Sequence, residues 1–271
     1  MEYIPQEIPE NINVTPIHPL KYFAKVGMMI LLGLTVLYLL SGLIAAQLTR
    51  VIDPNVEAAI GESLVLSLTT EPIRPQQTQY LQTLLDELQE ISQTRQPKAQ
   101  IHILDRPEIN AGALPGGQMI MTTALIDAAQ SENELAFVLG HELGHHQFRH
   151  PSQGLGRSLL WMTTLSLLGL GQSSIDPSAP LALANVQFNR AQEVVSDEFA
   201  LDLIQRRYGH VDHSLDFFRR LQQQNFDALA PQLEFFSTHP FPATRIEDLE
   251  DYAKRQGWRL DGELTPIAEL L

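Results

Sequence analysis

The residues that most restrict the fold of this chain are two histidines, His141 and His145, which enclose a glutamate in the pattern His-Glu-Leu-Gly-His. Side chains four positions apart lie on one face of an α-helix, so both imidazoles can reach the same metal ion. Glu142 then lies beside the open coordination position, where its carboxylate can take a proton from a water molecule. If the segment is helical, the pattern predicts a zinc site with hydrolytic chemistry.

Local sequence around the motif indicates a helix. Ser131 followed by Glu134 forms a capping box, and apolar residues continue with helical spacing until Pro151, which predicts a helix of about 18 residues. Gly140 and Gly144 each weaken a helix by about 1 kcal/mol relative to alanine. We therefore expect another element to pack closely against them. The alternative is an ordinary polar helix face that carries surface histidines.

A second helix, expected from about Leu183 to Arg206, offers a third metal ligand. Arg190, Glu193 and Asp197 are spaced so that they share one face of this helix. Glu193 is the candidate ligand, and Asp197 is placed to accept the second ring proton of a metal-bound histidine. The alternative is a solvated face with an Arg190 to Glu193 ion pair.

Four stretches together resemble the HtpX-like zinc metallopeptidases, the group that also contains the CAAX prenyl endopeptidases and the Oma-type mitochondrial proteases. They are NAGALPGGQMIMTTALI at 110–126, ELAFVLGHELGHHQFRH at 134–150, RAQEVVSD at 190–197 and STHPFPATRI at 237–246. The resemblance implies a zincin-like domain with one zinc ion per chain. It also implies that the chain hydrolyses peptide bonds of protein or peptide substrates.

The resemblance further implies roles for individual residues. The three expected zinc ligands are His141, His145 and Glu193. Glu142 would act as general base and acid, and Asp197 would orient a ligand. His239 and Arg245 would line the cleft, with His239 stabilising the oxyanion of the tetrahedral intermediate. Loss of one such donor costs about 10²- to 10³-fold in rate.

Two short segments before the metal-binding helix are expected to be strands. Residues 100–105 are rich in β-branched and apolar side chains, and residues 118–123 follow the turn residues Pro115, Gly116 and Gly117. In the resembling enzymes, a strand of this kind forms the sheet edge to which an extended peptide adds through main-chain hydrogen bonds. The alternative is a purely structural pair of strands. The expected fold is a mainly helical α+β domain with a small sheet.

Composition limits the remaining possibilities. The 271 residues, 44% of them hydrophobic, are enough for one metallopeptidase domain at 51–271 and a membrane anchor. The formal net charge of -14, without a cluster of lysine and arginine, argues against a nucleic-acid partner. The absence of cysteine excludes disulfides and thiolate ligands. No feature predicts the oligomeric state.

The uncharged run Val26–Ala46 is expected to be a transmembrane helix that brings the chain to a lipid bilayer. Its 21 residues would span about 31 Å as a helix, close to the roughly 30 Å hydrocarbon core. The alternative is a cleavable signal peptide, although the apolar part of such a peptide is only about 7 to 15 residues long. Lys21 and Lys25 precede the run and Arg50 follows it. This distribution favours a single crossing with the catalytic domain on the outer, periplasmic or equivalent, side.

Two further segments complete the expected organisation. Residues 1–25, rich in proline, asparagine and glutamate at their start, should form a disordered tail. The apolar stretch Leu159–Leu170 is too short to cross a bilayer, which favours a buried or cleft-covering helix over a membrane-apposed segment.

The expected function is that of a membrane-anchored zinc endopeptidase in envelope or membrane protein quality control. The alternative is a chaperone-like or assembly factor with a structural metal site. Glu142 favours the enzyme, because a purely structural site has no need of a general base.

Overall fold

The computed structural model describes residues 19–48, 52–69, 73–167, 188–223, 239 and 244–267. The chain divides into two compact units, Met1–Leu43 and Ile44–Leu271. Helix α1 (Pro19–Leu48) accounts for the described part of the first unit and continues into the second.

Helix α1 is long and apolar enough to cross a membrane. Within Pro19–Ser41, the most apolar stretch of 18 residues has a mean hydropathy of 2.1, and none of it is buried. No other helix among the described residues meets the same criteria. The helix begins at Pro19, upstream of the predicted start at Val26, because proline suits the first turn and the residues that follow are compatible with a helix. Residues 1–18, the rest of the predicted tail, and Arg50 lie outside the described residues.

The second unit contains a small sheet surrounded by helices, as predicted. Its elements, in chain order, are α2 (Pro54–Leu68), α3 (Pro75–Ser92), β1 (Gln100–Leu104), β2 (Ala111–Ala113), a 3₁₀ turn (Pro115–Gly117), β3 (Gln118–Thr122), α4 (Thr123–Ala128), α5 (Glu132–Gln147), α6 (His150–Leu167), α7 (Arg190–Tyr208), α8 (Asp216–Gln223) and α9 (Arg245–Gln256).

The sheet has the strand order β1-β3-β2, in which β3 is parallel to β1 and antiparallel to β2. Strands β1 and β3 confirm the two predicted strands, whereas the short β2 was missed because alanine and glycine have little preference for strands. Because β3 is paired on both sides, the expectation that the strand at 118–123 forms a sheet edge was wrong, and the edges among the described residues are β1 and β2. The β1 edge is covered by α3, where Gln82 Oε1 accepts from Ile101 N–H and Gln89 Oε1 accepts from Ala99 N–H, both at 2.9 Å.

The core lies where α5 meets α3, α7 and the sheet. Residues 133–146 of α5 are all buried, so this helix is covered on every side and has no face exposed to solvent. Rings of Phe137 and Phe218 pack edge to face with centroids 5.7 Å apart. Further fully buried side chains around them include Leu81, Leu85, Leu88, Met119, Met121, Leu135 and Leu139.

Helix α7 packs directly on the backbone of α5 at two glycines. A Cβ atom on Gly140 would lie 3.3 Å from Ala200 Cα, and one on Gly144 would lie 2.9 Å from Ser196 Cα. The predicted close approach at these glycines is therefore confirmed. It holds the side chains of α5 and α7 at a short distance from each other.

The ends of two helices differ from the prediction. Helix α5 ends at Gln147, and Pro151 lies in the first turn of α6 instead of closing α5. The first turn tolerates proline because its backbone N–H groups have no partner within the helix. Helix α7 begins at Arg190, after the N-cap residue Asn189, while the predicted start at Leu183 lies outside the described residues.

The apolar stretch Leu159–Leu170 belongs to α6 as far as Leu167. Most of its side chains, and residues 168–170 entirely, lie outside the described part of the chain. A buried or cleft-covering position for this stretch stays a prediction.

Candidate metal centre

The three predicted ligands meet where α5 contacts α7. The Nε2 atoms of His141 and His145 are 3.0 Å apart, and the carboxylate oxygens of Glu193 lie 3.6 Å from the first and 3.4 Å from the second. All three side chains are buried. In a tetrahedral zinc site with bonds of about 2.0–2.1 Å, neighbouring ligand atoms are about 3.4 Å apart. The donor atoms therefore have the spacing that a zinc ion requires.

His239 adds a third nitrogen, and a fourth candidate donor, to this group. Its Nδ1 atom is 3.1 Å from both His141 Nε2 and Glu193 Oε1, and its Nε2 atom is 3.6 Å from Glu142 Oε1. Ligand atoms of His141, His145, Glu193 and His239 all lie within 4.8 Å of one another, so the four residues could hold a metal ion. The residue expected to stabilise an oxyanion thus lies among the candidate ligands, next to the expected general base.

Glu142 is buried beside the four donors. Within the described part of the chain, neither of its carboxylate oxygens has a hydrogen-bond partner. An ionised carboxylate in such a position is costly unless a cation or a hydrogen-bond donor offsets the lost hydration. These two oxygens fit a site completed by a metal ion and water.

Asp197 and Arg245 lie behind the ligands. Asp197 Oδ1 accepts a hydrogen bond from His141 Nδ1 at 2.8 Å. Arg245 donates to both oxygens of Asp197 at 2.6 Å, and its Nη1 atom is 3.0 Å from Glu193 Oε2. The bidentate pair fixes the carboxylate, and the hydrogen bond places the proton of His141 on Nδ1, so that Nε2 is available to a cation.

The pKa values of the two histidines of the motif are shifted in opposite directions. Burial, together with the neighbouring His141 and His239, holds the pKa of His145 well below its usual value. Although burial opposes it, the hydrogen bond to Asp197 raises the pKa of His141. Burial also opposes ionisation of Glu193, but hydrogen bonds with His145 and His239 lower its pKa. Glu193 is therefore a carboxylate near neutral pH, as a metal ligand must be.

Sequence reasoning missed two side chains that contact His145. Nδ1 of His150 is 3.0 Å from Nδ1 of His145, and the ring of Phe188 lies against His145 with centroids 3.9 Å apart. Burial lowers the pKa of His150 to about 4. A spacing of five residues does not indicate a helical neighbour. The one sequence signal was Pro151, because proline is favoured in the first turn of a helix and so indicates that a new helix begins beside His150.

Comparison with known proteins identifies a family and several relatives. Residues 75–253 match the sequence model described as Peptidase family M48. The chain is 30% identical over 165 residues to "Metalloendopeptidase OMA1, mitochondrial" of Bos taurus, which covers 55% of this chain and 31% of that protein. It is 28% identical over 196 residues to the "Beta-barrel assembly-enhancing protease" of Yersinia pestis, covering 67% of this chain and 40% of the relative. The chain thus spans less than half the length of these relatives.

Proposed function

The chain belongs to peptidase family M48, and on that basis we propose that it is a zinc-dependent endopeptidase that cleaves peptide bonds in proteins. The observation that carries the proposal is the buried group of His141, His145 and Glu193, with the carboxylate of Glu142 beside it. A structural zinc site normally has four protein ligands and no open coordination position. It does not need an adjacent carboxylate that is not itself a ligand.

The proposed ligands of the zinc ion are His141, His145 and Glu193, which leave a fourth coordination position for water or substrate. A bound zinc ion would lower the pKa of a water molecule from about 15.7 toward about 7 and polarise the carbonyl group of a substrate. The guanidinium group of Arg245 contacts the carboxylates of Glu193 and Asp197. It therefore holds Glu193 directly and holds His141 through Asp197.

Glu142 is the proposed general base and acid. Its carboxylate takes a proton from the attacking water and returns it to the amine that leaves when the peptide bond breaks. The imidazole of His239 lies 3.6 Å from Glu142 and is the proposed donor to the oxygen that becomes negatively charged. Burial strengthens both interactions, since few competing water molecules reach them.

Strand β2 is the proposed binding edge for an extended peptide. Leu114 N–H donates to Gln118 O, which marks a hydrogen-bonded pair of the antiparallel ladder. Because such pairs alternate, the backbone groups of Ala111 and Ala113 point away from β3. Strand β2 lies against α5, the helix that carries the motif, while side chains of α3 occupy the β1 edge. Main-chain pairing along β2 would accept many different sequences.

The proposed setting is a membrane. Helix α1 is the proposed single-pass anchor, with residues 1–25 in the cytoplasm and the domain from residue 51 onward on the outer side. The proposed role is envelope or membrane protein quality control, and it is supported by the name of one relative, which is a protease that enhances beta-barrel assembly.

The test uses the full chain in detergent, with metal analysis and cleavage of casein in the presence and absence of a chelator. We expect about one zinc ion per chain and cleavage that is lost with the chelator and restored by zinc. The matched variant Glu142→Gln should keep zinc and lose cleavage, since an amide of the same shape accepts no proton. Zinc binding without cleavage by the wild-type protein would favour the alternative, a chaperone-like or assembly factor with a structural metal site.

A further inference from the structure

We propose that His150 positions the metal ligand His145 through a hydrogen bond between their Nδ1 atoms. These atoms are 3.0 Å apart, and both side chains are buried. The inference rests on the proposed role of His145 as a ligand and concerns the residue behind it. His150 is thus a positioning residue that acts through His145.

A break in the helix makes this contact possible. On a continuous helix, residues five positions apart are rotated by about 140° around the axis and cannot touch. Helix α5 ends at Gln147, and Arg149 has a φ of +56°, a left-handed conformation that is uncommon for a residue with a Cβ atom. The turn starts α6 at His150 with its imidazole directed back toward His145. An ion pair with the buried Glu57 of α2 holds Arg149 in this turn.

The positions of the ring protons determine which of the two histidines donates the hydrogen bond. Nε2 of His145 faces His141 and Glu193, so it must be unprotonated to bind a cation, and the ring proton is on Nδ1. His145 then donates to Nδ1 of His150, whose own proton is on Nε2. The ring of His150 stacks on Phe148 with centroids 5.6 Å apart, an apolar contact that suits a neutral imidazole.

The two histidine ligands therefore have different partners. Asp197 contacts Nδ1 of His141 at 2.8 Å as a carboxylate, and His150 contacts Nδ1 of His145 as a neutral ring. A neutral acceptor fixes the tautomer and the orientation of the ligand without adding a buried charge.

The test compares metal affinity in full-length variants at position 150. In His150→Asn, Oδ1 takes the place of Nδ1 and keeps the acceptor, whereas in His150→Gln the acceptor moves to the place of Nε2. We expect zinc affinity, measured by competition with a chelator, to fall about 10- to 100-fold in His150→Gln and to stay within about threefold of wild type in His150→Asn. The visible absorption spectrum of the cobalt-loaded protein should change in the glutamine variant only.

His146→Ala is the matched control, because His146 is also buried on α5 but its Nε2 atom lies 2.9 Å from Pro97 O. It should retain zinc affinity. The proposal would be overturned if His150→Asn, His150→Gln and the wild type bound zinc with equal affinity. It would also be overturned if zinc affinity fell equally in both variants while their unfolding temperatures without metal matched that of the wild type. Failure of the wild-type chain to bind zinc would instead refute the proposed function itself.

Discussion

Replacing Gly144 with alanine tests whether the contact between α5 and α7 sets the geometry of the metal centre. The added Cβ would lie 2.9 Å from Ser196 Cα and 3.1 Å from Ser196 O, and backbone atoms cannot rotate away. To reach ordinary van der Waals contact, the helices must separate by about 0.5 Å. Overpacking of this kind costs about 1–3 kcal/mol, and the better helix propensity of alanine returns about 1 kcal/mol. We expect a net loss of about 0–2 kcal/mol in the free energy of unfolding.

The same substitution should also weaken metal binding. Glu193 is on α7, one turn before Ser196, while His141 and His145 are on α5, so separation of the helices moves one ligand away from the other two. Metal–ligand bonds tolerate only about 0.2 Å. We expect the zinc affinity of Gly144→Ala to fall at least about 10-fold in chelator competition. This loss is comparable to the loss expected when a residue that orients a metal ligand is replaced.

Gly140→Ala is the control for the same experiment. Its Cβ would meet Ala200 Cα at 3.3 Å, a tight contact that a shift of a few tenths of an ångström relieves. The propensity gain of about 1 kcal/mol should leave its unfolding temperature near or above that of wild type, and its zinc affinity should change less than threefold. Equal zinc affinities in the two alanine variants would refute the argument that helix separation controls the site.

Three further predictions concern the ligands and the anchor. Glu193→Ala should weaken zinc binding severely, because one of three proposed protein ligands is lost, and stoichiometric zinc at unchanged affinity would rule out this assignment. Asp197→Asn should lower zinc affinity or activity about 10- to 100-fold, because the amide accepts more weakly from His141 and pairs poorly with Arg245; no change in either quantity would remove Asp197 from the site. Protease added to sealed spheroplasts should degrade the catalytic domain and spare an N-terminal tag, whereas protection of the domain would place it in the cytoplasm.

The sequence predicted the parts of the centre that depend on local spacing. His141, Glu142 and His145 share one helix, and Glu193 and Asp197 share another, so helical periodicity was enough to group each set. The glycines of α5 also predicted that another element packs closely against them, and in the structure that element is α7. The predicted strands at 100–105 and 118–123 were found for the same reason, because alternation and turn residues are local signals.

Contacts between distant segments could not be predicted in this way. Strand β2 has no strand-forming composition and exists because β3 and α5 flank it. The contact between His150 and His145 depends on the left-handed turn at Arg149, which is held by a glutamate far away in the chain. Local spacing and composition do not predict either arrangement, since both depend on tertiary packing.

The charges buried at the centre indicate why it suits a divalent cation. With its histidines neutral, the group contains the carboxylates of Glu142, Glu193 and Asp197 and the guanidinium of Arg245, a formal sum of -2. A divalent cation would bring this sum to zero, whereas without Glu142 the sum with the cation bound would be +1. The carboxylate of Glu142 therefore completes the balance of buried charge that the bound cation requires. Among the described residues its two oxygens have no hydrogen-bond partner, so they are also available to take a proton from a water molecule.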